Sequence, residues 1–379
     1  MRHLNILIEL NSADLRIGAV NDALDLAELA RPCGARFVLC GSLTPEFRAE
    51  AGRRGIETSL ARSRTFSRRG LVLYGADVLV WAARLLRWRP DVVHVNYSGY
   101  GPSLACAAWW CGIPVVFRAG GPYLRGNHSN QWGAAYVANC RAHAEGLLGS
   151  PLADKVVVTG DLFRPERVRA TLTPERPLPP RREGVARITF LGQLVERKGL
   201  HVLIEALGRT QSSCELLLAG GDWSASGYPE RLKAMAFDAG LGSRVHFENH
   251  RQDVGAVLSD ADIFVLPSFS EARPRSIIEA MSLGLPVVAS DAGGIPSLVV
   301  HEETGLLVPA GDAAGLALAI DRLVQSPGLR QRLGAAGRAH AERECRADRT
   351  ALEYVRLYRR LVAEQPSAPS RPSMAGAGA

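Results

Sequence analysis

The sequence predicts an α/β protein made of two doubly wound halves, each a parallel sheet covered by helices on both faces. Three observations carry that expectation. At 379 residues the chain is too long for one ordinary core and suggests about two domains. Short apolar runs alternate with longer stretches of helical spacing. The alternation breaks once, at "RPERVRATLTPERPLPPRREG" (164–184), a Pro/Arg/Glu-rich stretch without apolar periodicity, and then restarts.

In the first half, "LNILIEL" (4–10) reads as a strand and "GAVNDALDLAELA" (18–30) as a helix. "RFVLCG" (36–41) is a second strand, and "LVLYGADVLVWAARLLRW" (71–88) has helical spacing that Pro90 stops. "DVVHV" (91–95), "PVVFR" (114–118) and "KVVVTG" (155–160) follow as strands. The stretch from Val92 to Phe117 lacks charged side chains, but its Asn, Ser, Gly and Pro residues fit strand, turn, helix and strand better than a membrane span. The second half restarts with "RITFLG" (187–192), a helix from Leu200 to Leu207, and "CELLLAGG" (214–221). "RVHFEN" (244–249), "DIFVLPS" (262–268), a helix in "SIIEAMSLG" (276–284), "PVVASDAGG" (286–294) and "GLLVP" (305–309) complete it. The expected division is a first domain over 1–165, a linker over 166–184, a second domain over 185–348, a helix over 349–363 and a disordered tail over 364–379.

Composition narrows the classes. The net charge of +7 is modest for this length, and no dense basic tract marks a nucleic-acid binder. Seven scattered cysteines lack metal-ligand spacing, so reduced thiols and a cytoplasmic setting are expected, with no metal. "MRHLNILIEL" is too short and too interrupted for a signal peptide. Neither half carries GxGxxG after its first strand, and no P-loop occurs.

In doubly wound sheets, ligands sit beyond the carboxyl ends of the strands. After "RITFLG", Arg197, Lys198 and Gly199 lie just before a helix, where an ammonium and free backbone N–H groups suit an anion. Lys198 is one of only three lysines among 45 basic residues; a solvated helix start is the plainer alternative. Asn249, His250 and Arg251, at the end of "RVHFEN" and just after it, form a polar rim that could lie against a nucleobase, or serve as ordinary turn residues. In "SEARPRSIIEA" (270–280), Glu271 stands in a loop and Glu279 lies on the helix face opposite Ile277, Ile278, Ala280 and Met281. Spacing alone leaves Glu279 outside the core and nothing more.

"FLGQLVERKGLHVLIEAL", "VHFENHRQDVGAVLSDADIFVLPSFSEARPRSIIEAMSLGLPVVASDAGGIPSLV" and "ETGLLVPAGD" together resemble the family 4 glycosyltransferases. The likeness is dense from Ile188 to Asp312, and Glu271 and Glu279 fit the family's E-x7-E signature. It implies the GT-B fold, two Rossmann-like doubly wound domains facing each other across a cleft, and a retaining, metal-independent transferase without a cofactor. The first domain would bind a hydroxylated acceptor and the second a UDP- or GDP-sugar donor.

The resemblance also assigns roles. Lys198 would neutralise the donor diphosphate. Glu271 would hold donor-sugar hydroxyls while the backbone of Ala272, Arg273, Pro274, Arg275 and Ser276 meets the phosphate. Glu279 would hold the ribose, residues 249–251 would border the base, and Gly18 would let the first loop approach phosphate or acceptor. Two positions depart from the family: Gln193 replaces its usual Arg, and Gly120 replaces a His present in many members. Arg197, Arg273 or Arg275 is then expected to supply the second cation.

Acceptor contacts are expected in Asn11–Gly18, Asn96–Gly101 and 120–132, for a small-molecule, glycan or lipid-linked hydroxyl in carbohydrate or natural-product biosynthesis. The segment 71–89 is expected to pack on the sheet; an alternative lays it on the inner membrane face as a peripheral contact. Two rival functions stay open: a catalytically weak nucleotide-sugar-binding partner subunit, and a GT-B epimerase or phosphorylase.

Overall fold

A computed structural model describes residues 3–10, 18–64, 70–96, 102–118, 132–142, 144, 152–222 and 225–365. Gly120, residues 11–17 and 97–101, most of 120–132 and the tail beyond 365 therefore lie outside the described residues.

The chain divides into two compact units. The first contains β1 (Leu4–Leu10), α1 (Gly18–Leu29), β2 (Ala35–Gly41), α2 (Pro45–Arg53), β3 (Glu57–Ser59) and α3 (Leu71–Trp88). It continues through β4 (Val92–Val95), α4 (Ser103–Trp110), β5 (Val115–Arg118), β6 (Ala135–Ala138) and β7 (Val156–Val158). All its strands are parallel, in the order β3-β2-β1-β4-β5-β6-β7. Of β1, only Asn5 is not buried, as a strand covered on both faces requires. Helix α3 buries Tyr74, Val78, Trp81 and Leu85, one line at helical spacing.

The second unit contains α5 (Pro165–Arg169), β8 (Ala186–Leu191), α6 (Leu200–Arg209), β9 (Cys214–Ala219), α7 (Tyr228–Asp238) and β10 (Val245–Glu248). There follow α8 (Val254–Ser259), β11 (Ile263–Leu266), α9 (Arg275–Ser282), β12 (Val287–Ser290), β13 (Leu306–Val308), α10 (Ala313–Gln325) and α11 (Pro327–Glu344). Its strands are parallel as well, in the order β10-β9-β8-β11-β12-β13. Strand order therefore reverses between β8 and β11, and in the first unit between β1 and β4. These reversals are the switch points at which open α/β sheets take ligands.

The unit boundaries differ from the expected domains. The second unit runs from Gly160 to Arg346 and also takes in Asn139–Glu145. It includes the segment expected as a linker, for a physical reason: buried arginines bind that segment's carbonyls. Arg187 donates to Pro179 O (2.9 Å) and Pro180 O (3.0 Å) while paired with Glu215 and Asp260. Arg251 donates to Arg176 O (2.7 Å) and Pro177 O (3.5 Å), and the backbone N–H of Glu175 bonds Asp253.

Helix α12 (Ala347–Ala363) belongs to the first unit. Arg359 donates to Cys33 O (2.7 Å), and the Tyr358 hydroxyl lies 2.6 Å from Nδ1 of His94 on β4. Tyr354 stacks on the same imidazole at 5.7 Å. Burial, reinforced by the Arg118 charge, pulls the pKa of His94 down to about 3, so the ring is neutral.

Candidate active site

The site grows from the two loops at the β8/β11 switch point. After β8, the chain makes one 3-10 turn, Glu196–Lys198, and reaches Gly199 at φ 68°. A Cβ on Gly199 would stand 2.1 Å from Pro267 O, so only glycine permits both this backbone conformation and the contact with the β11 loop. The backbone N–H of Phe269 then bonds Arg197 O (2.8 Å), locking the two loops together.

That junction delivers the central contact. Lys198, 8% exposed, donates from Nζ to Oε1 of Glu271 at 2.5 Å. Ser268 Oγ donates to the same oxygen (2.8 Å), and Nη1 of Arg197 lies 3.6 Å from it. Burial holds the Lys198 pKa below the ordinary lysine range, against the opposing pull of the Glu271 carboxylate. Beneath the loop, Phe269 stacks on His201 at 5.6 Å, and His201 bonds the Tyr228 hydroxyl.

A third loop, after β12, supports the second. Ser290 Oγ donates to Ser268 O, and the backbone N–H of Gly294 donates to Glu271 O (2.9 Å). A Cβ on Gly294 would fall 1.4 Å from Ala272 O. Cys140 also donates its thiol to Ala272 O (3.4 Å). The sequence reading assigned no role to "AGG" (292–294); its doubled glycine after a strand was the available signal.

Helix α9 starts behind Pro274 without a side-chain cap, and the positive end of its dipole favours an anion there. Arg275 and Ser276 stand in this first turn. Glu279, one turn on, is partly buried, and its Oε1 lies 3.8 Å from Nε of Arg275.

Two expected ligand residues are committed elsewhere. Arg251 has no exposed side-chain surface: it pairs with Asp253 (2.6 Å) and Glu248 (3.3 Å) and binds the 176–177 carbonyls. It anchors the scaffold and has no face to offer a base, whereas Asn249 is exposed and His250 half-buried. Arg273 is paired with Asp161 and donates to Ser297 Oγ (2.9 Å), so it braces the loop from behind. Arg275 donates to Leu162 O (3.4 Å) beside its contact with Glu279. Of the three arginines considered as the second cation, the one beside Lys198 and Glu271 is Arg197. Gln193 is half-buried in the β8 loop. Gly18 opens α1.

At the carboxyl ends of the first unit's strands, Arg118 pairs with Asp22 of α1 (2.5 Å) and donates to Asn96 (3.5 Å). A separate cavity of about 760 Å³ lies past β1, lined by Glu9, Ser42, Arg62, Ser63, Arg64 and Asp77 among others. Burial raises the Glu9 pKa to about 7, and its carboxyl bonds Ser63.

Two parallel, doubly wound α/β units in one chain are the architecture of the GT-B class. The family model for glycosyl transferases group 1 matches residues 174–340, and that for glycosyltransferase family 4 matches 18–193. A D-inositol 3-phosphate glycosyltransferase of Mycobacteroides abscessus is 30% identical over 315 residues, 75% of this chain and 68% of that protein. The chain belongs to the family 4, group 1 glycosyltransferases.

Other relatives match over less of their length. The lipopolysaccharide core biosynthesis glycosyltransferase LpsE of Rhizobium meliloti is 35% identical over 150 residues, 40% of this chain and 43% of that protein. The amylovoran biosynthesis glycosyltransferase AmsK of Erwinia amylovora is 37% identical over 190 residues, 47% of this chain and 44% of AmsK. The chain thus spans less than half the length of both. Among solved structures, a glycosyltransferase from Rickettsia africae shares the fold with TM-score 0.83 at 20% identity, over 96% of this chain and 100% of that one. Anabaena HepE, solved in complex with UDP and glucose, does so with TM-score 0.76 at 21% identity, over 94% and 100%.

Proposed function

We propose that this chain is a retaining glycosyltransferase that moves a sugar from a nucleoside-diphosphate donor to a hydroxyl. The observation that carries the reading is the Lys198–Glu271 contact at the switch point of a chain in this family. The contacts from Lys198, Ser268 and Arg197 all fall on Oε1 of Glu271, so Oε2 is the oxygen for a sugar hydroxyl. A diphosphate draws on Lys198, Arg197 and the positive N-terminal end of α9. These charges stabilise the leaving group as the glycosidic bond breaks, with no metal in the proposed step. The departing phosphate oxygen accepts the acceptor's proton on the same face, which retains configuration. Glu279 holds the ribose.

HepE was solved with UDP-glucose, which makes a uridine donor the first to test. The arginines and hydroxyls of the first unit's cavity suit a hydroxylated acceptor carrying an anionic group. An inositol phosphate, after the M. abscessus relative, is the first to try. Thermal shift with UDP-sugars decides the donor site: the wild type is stabilised, and Lys198→Ala and Glu271→Gln lose that stabilisation. Equal stabilisation of all three proteins would sink the reading. Anomeric configuration of the product by NMR tests retention, and full activity after EDTA treatment tests metal independence.

A further inference from the structure

Helix α3 presents an outward face that does not belong to a water-exposed helix. Val72, Leu79 and Leu86 recur at seven-residue steps and are 85%, 58% and 58% exposed. Leu71, Leu73 and Val80 flank them and are exposed too. Trp109 and Trp110 on the adjoining α4 are 58% and 64% exposed, and Trp88 closes the helix at 41%. Core packing does not explain these residues, because α3 already buries its opposite line from Tyr74 to Leu85. Trp81, on that inner line, is fully buried.

On α3 itself the charges beside this face are basic. Asp77, the one carboxylate of α3, is turned away from it and accepts hydrogen bonds from Ser103 and the Arg64 backbone. Arg84, Arg87 and Arg89 lie at the opposite end of the helix, with Arg84 over the Trp81 ring at 5.2 Å. Among the described residues, no helix is long and apolar enough to cross a membrane. Exposed leucine and valine, tryptophans at the edge and arginine without carboxylate match a surface that lies in the interface of an anionic bilayer.

We propose that the outer face of α3, with Trp109 and Trp110, is a docking surface for an anionic lipid bilayer. The cavity past β1 is lined by Leu73, Tyr74 and Asp77 of the same helix, so docking brings a lipid head group to that cavity's edge. The docking does not depend on the transferase reading, because vesicle binding is measured without substrate.

The test is flotation of the full chain with phosphatidylcholine vesicles, with and without phosphatidylglycerol. The wild type binds the anionic vesicles, releases at high salt, and shows a blue-shifted tryptophan emission when bound. The double variant Leu79→Asp/Leu86→Asp keeps its melting temperature and loses at least about tenfold in partitioning. Arg87→Ala loses roughly fivefold at low salt. Phe237→Asp, which removes an even more exposed apolar side chain from α7, binds like the wild type. The proposal is overturned if neither vesicle is bound, or if the leucine variant binds unchanged. It is also overturned if sedimentation finds a dimer that the leucine variant dissociates, since a second copy then covers the face.

Discussion

Nζ of Lys198 and Oε1 of Glu271 lie 2.5 Å apart although 73 positions separate them in the chain. The pair is nearly buried, so each member sets the charge environment of the other. Lys198→Ala is expected to lower kcat by about 10²–10³, the loss typical of one stabilising contact to a leaving group. Glu271→Gln is expected to raise KM for the donor. In a double-mutant cycle on kcat/KM, the two effects are expected not to add. Additive losses would mean that the residues act separately.

Arg197 and Arg273 separate cleanly in their expected effects. Arg197 is half-exposed beside Glu271, so Arg197→Ala weakens donor affinity and leaves unfolding unchanged within about 0.5 kcal/mol. Arg273→Ala removes the guanidinium paired with the nearly buried carboxylate of Asp161 and costs about 3–5 kcal/mol. Urea unfolding and donor titration on both variants check this, and a reversed pattern would reassign the second cation.

Gly294→Ala tests the support beneath the donor loop. Its added methyl overlaps Ala272 O, so the 271–272 backbone has to move. A cost of about 1–3 kcal/mol and a melting temperature lower by roughly 3–10 °C are expected. Donor affinity falls with it, although residue 294 carries no side chain to touch a ligand.

Two buried groups act on the acid stability of the first unit with opposite sign. Glu9, at about 7 instead of 4.5, holds a proton in the fold that the unfolded chain releases, so its contribution grows as pH falls from 7 to 4.5. His94, at about 3 instead of 6.5, refuses a proton that the unfolded chain takes up, so stability is lost as pH falls through that window. Between pH 4.5 and 6.5 the two nearly cancel. Glu9→Gln removes the first and exposes the second. The variant is expected to lose about 1.4 kcal/mol per pH unit relative to the wild type from pH 7 to 4.5. Unfolding curves measured across that range check the slope; a pH-independent difference would refute the account.

Much of this was legible before any coordinates. Apolar runs such as "CELLLA" and "DIFVL" announce buried parallel strands, and the E-x7-E spacing with Lys198 singles out the donor loops. The missed strands were "ETS" (57–59), too polar, and "AYVA" (135–138), too short, to signal themselves. Arg251 and Arg273 misled for a different reason. An arginine in a post-strand loop looks like a ligand contact, and only the fold reveals the carboxylate that already occupies it. Asp161 stands 112 positions from Arg273, a distance over which spacing carries no information.

The clamp on residues 176–182 has a consequence for how the chain comes apart. Arg181 and Arg182 end an exposed, proline-rich stretch, and the bonds after them invite tryptic cleavage. Yet Arg251 and Arg187 tie down the carbonyls of Arg176, Pro177, Pro179 and Pro180, and Arg181 and Arg182 bind main-chain carbonyls of the second unit. A protease must first peel this stretch from the sheet. Nicking there then reports the opening of the second unit itself, and Arg251→Ala should turn a resistant bond into an early cut.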